Sequence, residues 1–133
     1  MKLKYNISDK FVITELSIIN QLLSDAKLEL DSYKDNKVKS FGIQATEKLW
    51  GTLAHIIRLN QYLLGYKIPK SHKDNLLFMS NLTTGQELTE LKKRANKMHK
   101  RFYTGQFNHL DLIKDYEYVK NKKNLFLKKL EYV

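Results

Sequence analysis

The fold is decided by residues 38 to 66, which read VKSFGIQATEKLWGTLAHIIRLNQYLLGY. Apolar side chains recur through this segment at spacings of three and four, which places them on one face of a helix. That face comprises Phe41, Ala45, Leu49, Trp50, Leu53, Ile56, Ile57, Leu63 and Leu64. Gly65 stands where a C-cap glycine belongs, and Pro69 lies just beyond it. The segment therefore predicts a long amphipathic helix.

The preceding segment, residues 8 to 34, has the same periodicity. Its inward positions are Val12, Leu16, Ile19, Leu23, Ala26, Leu30 and Tyr33. Ser8 is the expected N-cap, with Asp9 in the first turn. Residues 35 to 37, Asp-Asn-Lys, interrupt the pattern as a short polar turn does. Two long helices joined by a tight turn predict an antiparallel hairpin.

Three shorter helical segments follow. The third begins after an N-cap at Ser71, and the fourth runs from a capping box of Thr84 and Glu87 to Gly105. Asn108 is the expected cap of a fifth helix over residues 109 to 131, and no stretch shows the sustained alternation typical of a strand. We expect one all-α domain over residues 1–133, an antiparallel up-and-down bundle of four to five helices. The inward residues predicted for these three helices are Leu76, Leu77, Met79, Leu82, Leu88, Leu91, Ala95, Met98, Phe102, Leu112, Tyr116, Val119, Leu125, Phe126 and Leu130.

Several classes of protein and site are excluded by composition. The chain has no cysteine, so disulfides, zinc–thiolate sites and cysteine nucleophiles are ruled out. Residues 1 to 6 carry lysines without a following apolar segment, unlike a signal peptide, and no apolar run approaches the roughly 20 residues of a membrane span. The four histidines lack metal-ligand spacing such as His-x3-His. We expect a cytoplasmic protein with no membrane contact, no metal and no cofactor.

The formal net charge of +10 favours polyanionic partners such as RNA, DNA, nucleotides or acidic proteins. Nearly all of the excess is lysine, since arginine occurs only at Arg58, Arg94 and Arg101. Dedicated phosphate-binding surfaces tend to use arginine as well. A hot habitat or an AT-rich genome would also enrich lysine, so charge alone leaves the question open.

Three segments carry a resemblance to a known family. They are ATEKLWGTLAHIIR at 45–58, SHKDNL at 71–76 and MHKRFYTG at 98–105. In this order they resemble the archaeal PaREP1 proteins, which belong to the HEPN-like superfamily. The third segment is similar to the family's Leu-His-x-Asn-Phe-Tyr-Glu-Gly pattern and departs from it at Met98, Arg101 and Thr104. The resemblance implies a HEPN-like bundle that commonly forms a homodimer, with relatives that are metal-independent ribonucleases or nucleotide-binding partners of nucleotidyltransferases.

The ribonuclease relatives carry an Arg-x4-6-His motif, which Arg94 and His99 match with four intervening residues. Histidine would take the proton of a ribose 2′-OH, and arginine would hold the scissile phosphate. However, five residues along an unbroken helix separate side chains by about 140°, so both can face one phosphate only if a second subunit completes the site. The relatives also place a polar residue after the arginine, where this chain has Ala95. The alternative is structural: a solvated Arg94, and a His99 that borders the stripe of Met98 and Phe102.

The remaining basic residues of this segment include Lys93, Lys97 and Arg101, and Tyr103 follows them. Basic groups beside aromatic ones suit single-stranded RNA or a nucleotide, although a solvated charged face has the same pattern. We expect the chain to bind RNA or a nucleotide through this surface around His99, with metal-independent RNA cleavage as its enzymatic form. The alternative is a non-catalytic interaction module or a nucleotide-binding partner of a nucleotidyltransferase. Of the other histidines, His55 is expected to be a partly buried packing residue, His72 is expected to have a surface or capping role, and His109 is expected at the surface.

Overall fold

The computed structural model describes residues 2–133, which form five α-helices and two short β-strands. The prediction of a mostly helical protein is confirmed. Along those residues, no helix combines the length and the apolar character needed to cross a bilayer. The elements, in chain order, are β1 (Leu3–Tyr5), α1 (Lys10–Asn36), α2 (Lys39–Leu64), α3 (His72–Leu82), α4 (Gly85–Thr104), α5 (His109–Lys128) and β2 (Leu130–Tyr132).

The two long helices begin and end close to their predicted limits. Asp9, rather than Ser8, caps α1, because its carboxylate accepts hydrogen bonds from the backbone N–H groups of Phe11 and Val12, the first at 2.9 Å. The helix continues to Asn36, and Lys37 turns the chain with a left-handed φ of 58°. Gly65 ends α2 as predicted, with a φ of 75° that glycine adopts without strain.

The caps of the shorter helices agree with prediction at two of three positions. Ser71 Oγ accepts from the Asp74 backbone N–H at 3.1 Å, and Asn108 caps α5 in a reciprocal capping box. The predicted box at the start of α4 does not form, since Thr83 Oγ1 binds the Glu87 carboxylate instead. Helix α4 is unbroken from Gly85 to Thr104.

The strand pair is absent from the sequence prediction. Strand β1 pairs in parallel with β2, with Leu3 opposite Leu130 and Tyr5 opposite Tyr132. The Leu3 N–H also donates to the Lys129 carbonyl at 2.6 Å, which joins the two ends of the described chain. Helix α5 therefore ends at Lys128 instead of continuing to residue 131. Three-residue strands are too short to show an alternating pattern, which is why the sequence did not reveal them.

The core lies where α2 meets the other helices. One cluster contains residues of all five helices, and a second contains Leu3, Phe126 and neighbouring residues of α1 and α2. Three predicted inward residues, Leu77, Phe102 and Leu125, are exposed. Leu125 points to solvent because consecutive residues of a helix point about 100° apart and the adjacent Phe126 takes the inward position. The fully or nearly fully buried apolar residues of the first cluster are Leu23, Ala26, Leu49, Leu53, Ile57, Met79, Leu91, Ala95, Met98 and Val119.

Candidate functional site

A pocket of about 260 Å³ opens between α2, α3 and α4. Helix α2 supplies Trp50 to its wall, and α3 supplies its first residue, His72. Helix α4 supplies His99 and Tyr103, which are four residues apart and therefore share one face of that helix. The complete lining is Thr46, Glu47, Trp50, His72, Met98, His99, Phe102 and Tyr103.

Four rings form a continuous aromatic wall along this pocket. The centroids of Trp50 and His72 lie 4.7 Å apart, and the His72 and His99 rings stack at 4.4 Å with an interplanar angle of 19°. The ring of Tyr103 meets His99 edge to face at 4.7 Å and is 72% exposed as a residue. The pocket thus presents aromatic faces and edges from its interior to its mouth, a surface suited to flat, conjugated groups.

Two polar groups of the pocket can accept hydrogen bonds at neutral pH. Burial lowers the pKa of His72, and the nearby His99 lowers it further, because two imidazoles in contact disfavour a second positive charge. His72 is therefore neutral at pH 7 and keeps a ring nitrogen lone pair. Glu47 adds an exposed carboxylate, which accepts hydrogen bonds, and the buried Met98 adds apolar surface. A ligand with a flat ring and N–H donors fits this chemistry.

Arg94 is directed away from the pocket, toward α5. Its Nη1 lies 3.2 Å from Asp115 Oδ1, and its guanidinium lies 5.2 Å from the centroid of the Tyr118 ring. Arg101 binds the other oxygen of Asp115, which is fully buried, and lies 3.8 Å from Asp111. The interpretation of Arg94 as a solvated residue is therefore wrong, since its side chain is 22% exposed and ion-paired.

Arg94 and His99 are not brought together within one chain. They lie on an unbroken helix five residues apart, so their side chains point about 140° from each other. His99 meets His72 and Tyr103, whereas Arg94 and Arg101 share Asp115 on the other flank of α4. His72, which was expected to have a surface or capping role, is half-buried, and its ring packs between Trp50 and His99.

The exposed face of α4 between these two flanks is basic. Lys93 and Lys97 are both solvent-exposed there, and so is Lys100. A shallow depression lined in part by Lys97, Lys100 and Arg101 adjoins it. Of the six residues that the sequence singled out, two line the pocket, two lie on this basic face, and the two arginines bind Asp115.

Three residues of this region were missed as site residues. Trp50 was assigned to the inward stripe of α2, and His72 to a surface or capping role, because a helical period does not show which neighbouring helix covers the edge of a stripe. Asp115 had a detectable signal: it follows Leu112 by three and precedes Val119 by four, so it occupies an inward position of α5. An acid there requires cationic partners, which Arg94 and Arg101 supply.

Among residues 2–133 no three His, Cys, Asp or Glu side chains lie together in a manner that could hold a metal ion. His55 is partly buried, as expected, and binds Glu15; His109 is half-buried, with its Nε2 enclosed and lacking a hydrogen-bond partner. Comparison with known proteins gives no match among family models, curated proteins or solved structures.

Proposed function

We propose that the chain binds RNA or a nucleotide by placing a base against the aromatic wall formed by Trp50, His72, His99 and Tyr103. The observation that carries the proposal is the continuity of these rings along a pocket that is open to solvent at Tyr103. Stacking of a base on an aromatic side chain contributes about 1–3 kcal/mol and tolerates different bases. The carboxylate of Glu47 and the neutral His72 would accept hydrogen bonds from base amino and imino groups.

The phosphates of such a ligand would contact the basic face of α4. Lys93, Lys97 and Lys100 are exposed on it, and no residue of the basic face is buried. The net charge of +10 adds a favourable long-range field for a polyanion. Lysine ammonium groups act as point charges without sequence preference, so this contribution would supply affinity and the pocket would supply any base preference.

RNA cleavage is the enzymatic form of the same proposal. The stacked His72–His99 pair favours it, because a neutral His72 would accept the proton of a ribose 2′-OH while a protonated His99 would donate to the leaving oxygen. The role first assigned to Arg94, stabilising the phosphate, would require it to leave the buried Asp115, which would then keep Arg101 as its partner with one carboxylate oxygen unpaired. Binding without cleavage is therefore the function that the geometry supports better.

The two forms are separated by incubating the wild-type chain and His99→Ala with structured and unstructured RNA in the presence of a chelator. If the pocket only binds, both proteins leave the RNA intact while the wild type retains it in a binding assay. Chelator-resistant cleavage by the wild type that disappears in His99→Ala would establish the enzymatic form. RNA that is neither bound nor cleaved would remove both.

We also propose that the helices form an antiparallel HEPN-like bundle of the PaREP1 type. The antiparallel arrangement of α1 and α2 is supported by three contacts between them, in which Tyr62 binds Asp9, Arg58 binds Glu15 and Lys48 binds Glu29. Across these three contacts the residue numbers increase along α1 while they decrease along α2, so the two helices run in opposite directions. A cytoplasmic location fits the same picture, since the chain has no cysteine to be oxidised.

Protein partners are the second candidate function. A homodimer, or a complex with a nucleotidyltransferase, would make the pocket part of a larger site, and the commitment of both arginines to Asp115 favours a module without catalysis of its own. Light scattering at micromolar concentration and physiological salt should give the mass of a dimer. A monomer mass would contradict the homodimer and leave the pocket proposal intact.

A further inference from the structure

A second polar cluster joins α1 and α2 away from the aromatic pocket. Glu15 of α1 is 4% exposed, and its carboxylate contacts two side chains of α2. His55 Nδ1 lies 2.6 Å from Oε2, and Arg58 Nε donates to Oε1 at 2.9 Å. His55 and Arg58 are three residues apart, so they stand side by side on one face of the helix. Because both oxygens of this buried carboxylate are paired, Glu15 fixes the orientation of the His55 ring and of the Arg58 guanidinium plane.

Glu15 leaves the outward-facing atoms of both partners unused. A carboxylate only accepts hydrogen bonds, so His55 carries its proton on Nδ1 and, when neutral, presents a lone pair at Nε2. Arg58 uses Nε, and within residues 2–133 its two terminal amino groups have no hydrogen-bond partner. The guanidinium is held in place on its other side by the ring of Phe11, 5.3 Å from its centroid. Four N–H donors and an imidazole nitrogen thus remain available in a fixed arrangement.

A separate cavity of about 180 Å³ adjoins these atoms, with walls from Ala54, His55, Arg58, Pro69 and Asn75. A cavity needs only about 10–15 Å³ to hold one water molecule, so this space admits a compact group. Asn75 brings a third polar side chain, whose Oδ1 is buried without a hydrogen-bond partner. If the Asn75 side chain rotates toward the cavity, a ligand O–H that donates to that oxygen would remove an unsatisfied acceptor.

The charge of the Glu15, His55 and Arg58 cluster determines whether it favours an anionic or a cationic ligand. The charge of Glu15 cancels that of Arg58, so the cluster is neutral with a neutral His55 and carries one positive charge when the ring is protonated. Two parallel N–H groups of a guanidinium match two oxygens of a phosphate, and an imidazolium adds a third donor. We propose that His55 and Arg58, oriented by Glu15, bind the protonated phosphate group of a small phosphomonoester, with Asn75 Oδ1 accepting from its O–H.

This site is distinct from the aromatic pocket. Trp50 and His55 are five residues apart on α2, which directs them about 140° from each other. The opposing interpretation is that Glu15, His55 and Arg58 only clamp α1 to α2. A clamp needs no ligand and predicts no response to phosphate, so the two interpretations make different predictions for the same experiment.

The test is an NMR titration of the full chain with orthophosphate at constant ionic strength, following the His55 ring and the Asn75 side-chain amide. The wild type should show a saturable shift of both, and Arg58→Gln should bind at least tenfold more weakly. Lys34→Gln is the matched control, since it removes one exposed positive charge about 28 Å along α1 from Glu15. The absence of a saturable shift in the wild type, or equal affinity in Arg58→Gln and Lys34→Gln, would overturn the proposal.

A second variant keeps the proposal testable if Arg58→Gln does not fold. Asn75→Ala leaves the contacts of Glu15 intact and should weaken phosphate binding severalfold. Sulfate, which has no proton at neutral pH, should bind the wild type more weakly than phosphate. Sulfate affinity equal to that of phosphate would contradict the assignment. A phosphate response confined to His99 would also contradict it, while leaving the aromatic pocket as the phosphate-linked site.

Discussion

Glu15 and Asp115 occupy helix positions that, by their spacing from apolar neighbours, face the core. Glu15 follows Val12 by three and precedes Ile19 by four, and Asp115 stands in the same relation to Leu112 and Val119. Each is buried, and each binds two nitrogen-bearing side chains of another helix: His55 and Arg58 for Glu15, and Arg94 and Arg101 for Asp115. The sequence could have predicted that both acids face inward and need partners. It could not identify Arg94 as one of them, because that contact depends on how α4 packs against α5.

The pairing of Asp115 predicts a large effect on stability. Asp115→Ala should lower the free energy of unfolding by about 3 kcal/mol, because it leaves the largely enclosed guanidinium of Arg94 without a counterion and that of Arg101 with only the more distant Asp111. Lys114→Ala removes an exposed neighbour and should change it by less than about 0.5 kcal/mol. Urea denaturation of both variants measures the difference. Equal stability of the two would show that the ion pairs contribute nothing.

His72 predicts a dependence of stability on pH. Its pKa is lowered from 6.5 in the folded chain, chiefly by burial, so the unfolded chain binds a proton first as pH falls. The stability that this residue contributes is complete above pH 6.5 and decreases as pH falls toward the folded pKa. His72→Gln should therefore lose less stability than the wild type between pH 7.5 and pH 5.5. An identical loss in both proteins would contradict the assignment.

At the scale of elements, most of the caps were predictable and the strand pair was not, although Asp9 caps α1 in place of Ser8 and the box at Thr84 does not form. Ser71, Gly65, Gly105 and Asn108 act locally, so their residue types and spacing sufficed. The pairing of β1 with β2 depends on α5 returning to the start of the chain, a long-range property that periodicity does not contain. The pocket depends in the same way on where α3 begins relative to α2 and α4.

Two glycines in α2 provide a matched test of its packing. A methyl group at Gly42 would clash with the ring of Phe107, whereas one at Gly51 would meet only the end of the flexible Leu22 side chain, at 3.3 Å. Alanine favours a helix by about 1 kcal/mol over glycine, so Gly51→Ala should be neutral or stabilising. Gly42→Ala should be destabilising by about 1–3 kcal/mol because the crowding outweighs that gain. Thermal unfolding decides the order, and a Gly42→Ala protein as stable as Gly51→Ala would be inconsistent with this packing.

For the whole molecule, the sequence predicted the basic surface but not the arrangement of the site beside it. Lys93 and Lys97 are exposed, as the predicted basic surface requires, and His99 and Tyr103 lie in one pocket. The Arg-x4-His spacing suggested a pair that an unbroken α4 keeps apart. The second histidine of the pocket comes from α3, 27 positions earlier in the chain, and no local motif connects the two.

The basic face predicts how binding depends on salt. For single-stranded RNA, each phosphate contact contributes a slope of about −0.7 to log affinity against log salt concentration. Lys97→Gln and Lys100→Gln should each weaken binding and reduce the slope by about 0.7, without altering base preference. Lys34→Gln should leave the slope unchanged, since it lies in the last turn of α1. Binding that does not vary with salt would rule out the phosphate contacts.

The most direct test of base binding uses Trp50, the single tryptophan of the chain, whose fluorescence reports on the pocket itself. A short oligoadenylate should quench it saturably, whereas orthophosphate should not. Tyr103→Ala should weaken the binding about tenfold, within the range of one lost stacking contact. Tyr66→Ala, which removes another exposed tyrosine outside the pocket, should bind as the wild type does. A Trp50 signal that does not respond to the oligonucleotide, or an equal affinity in Tyr103→Ala and Tyr66→Ala, would contradict the account.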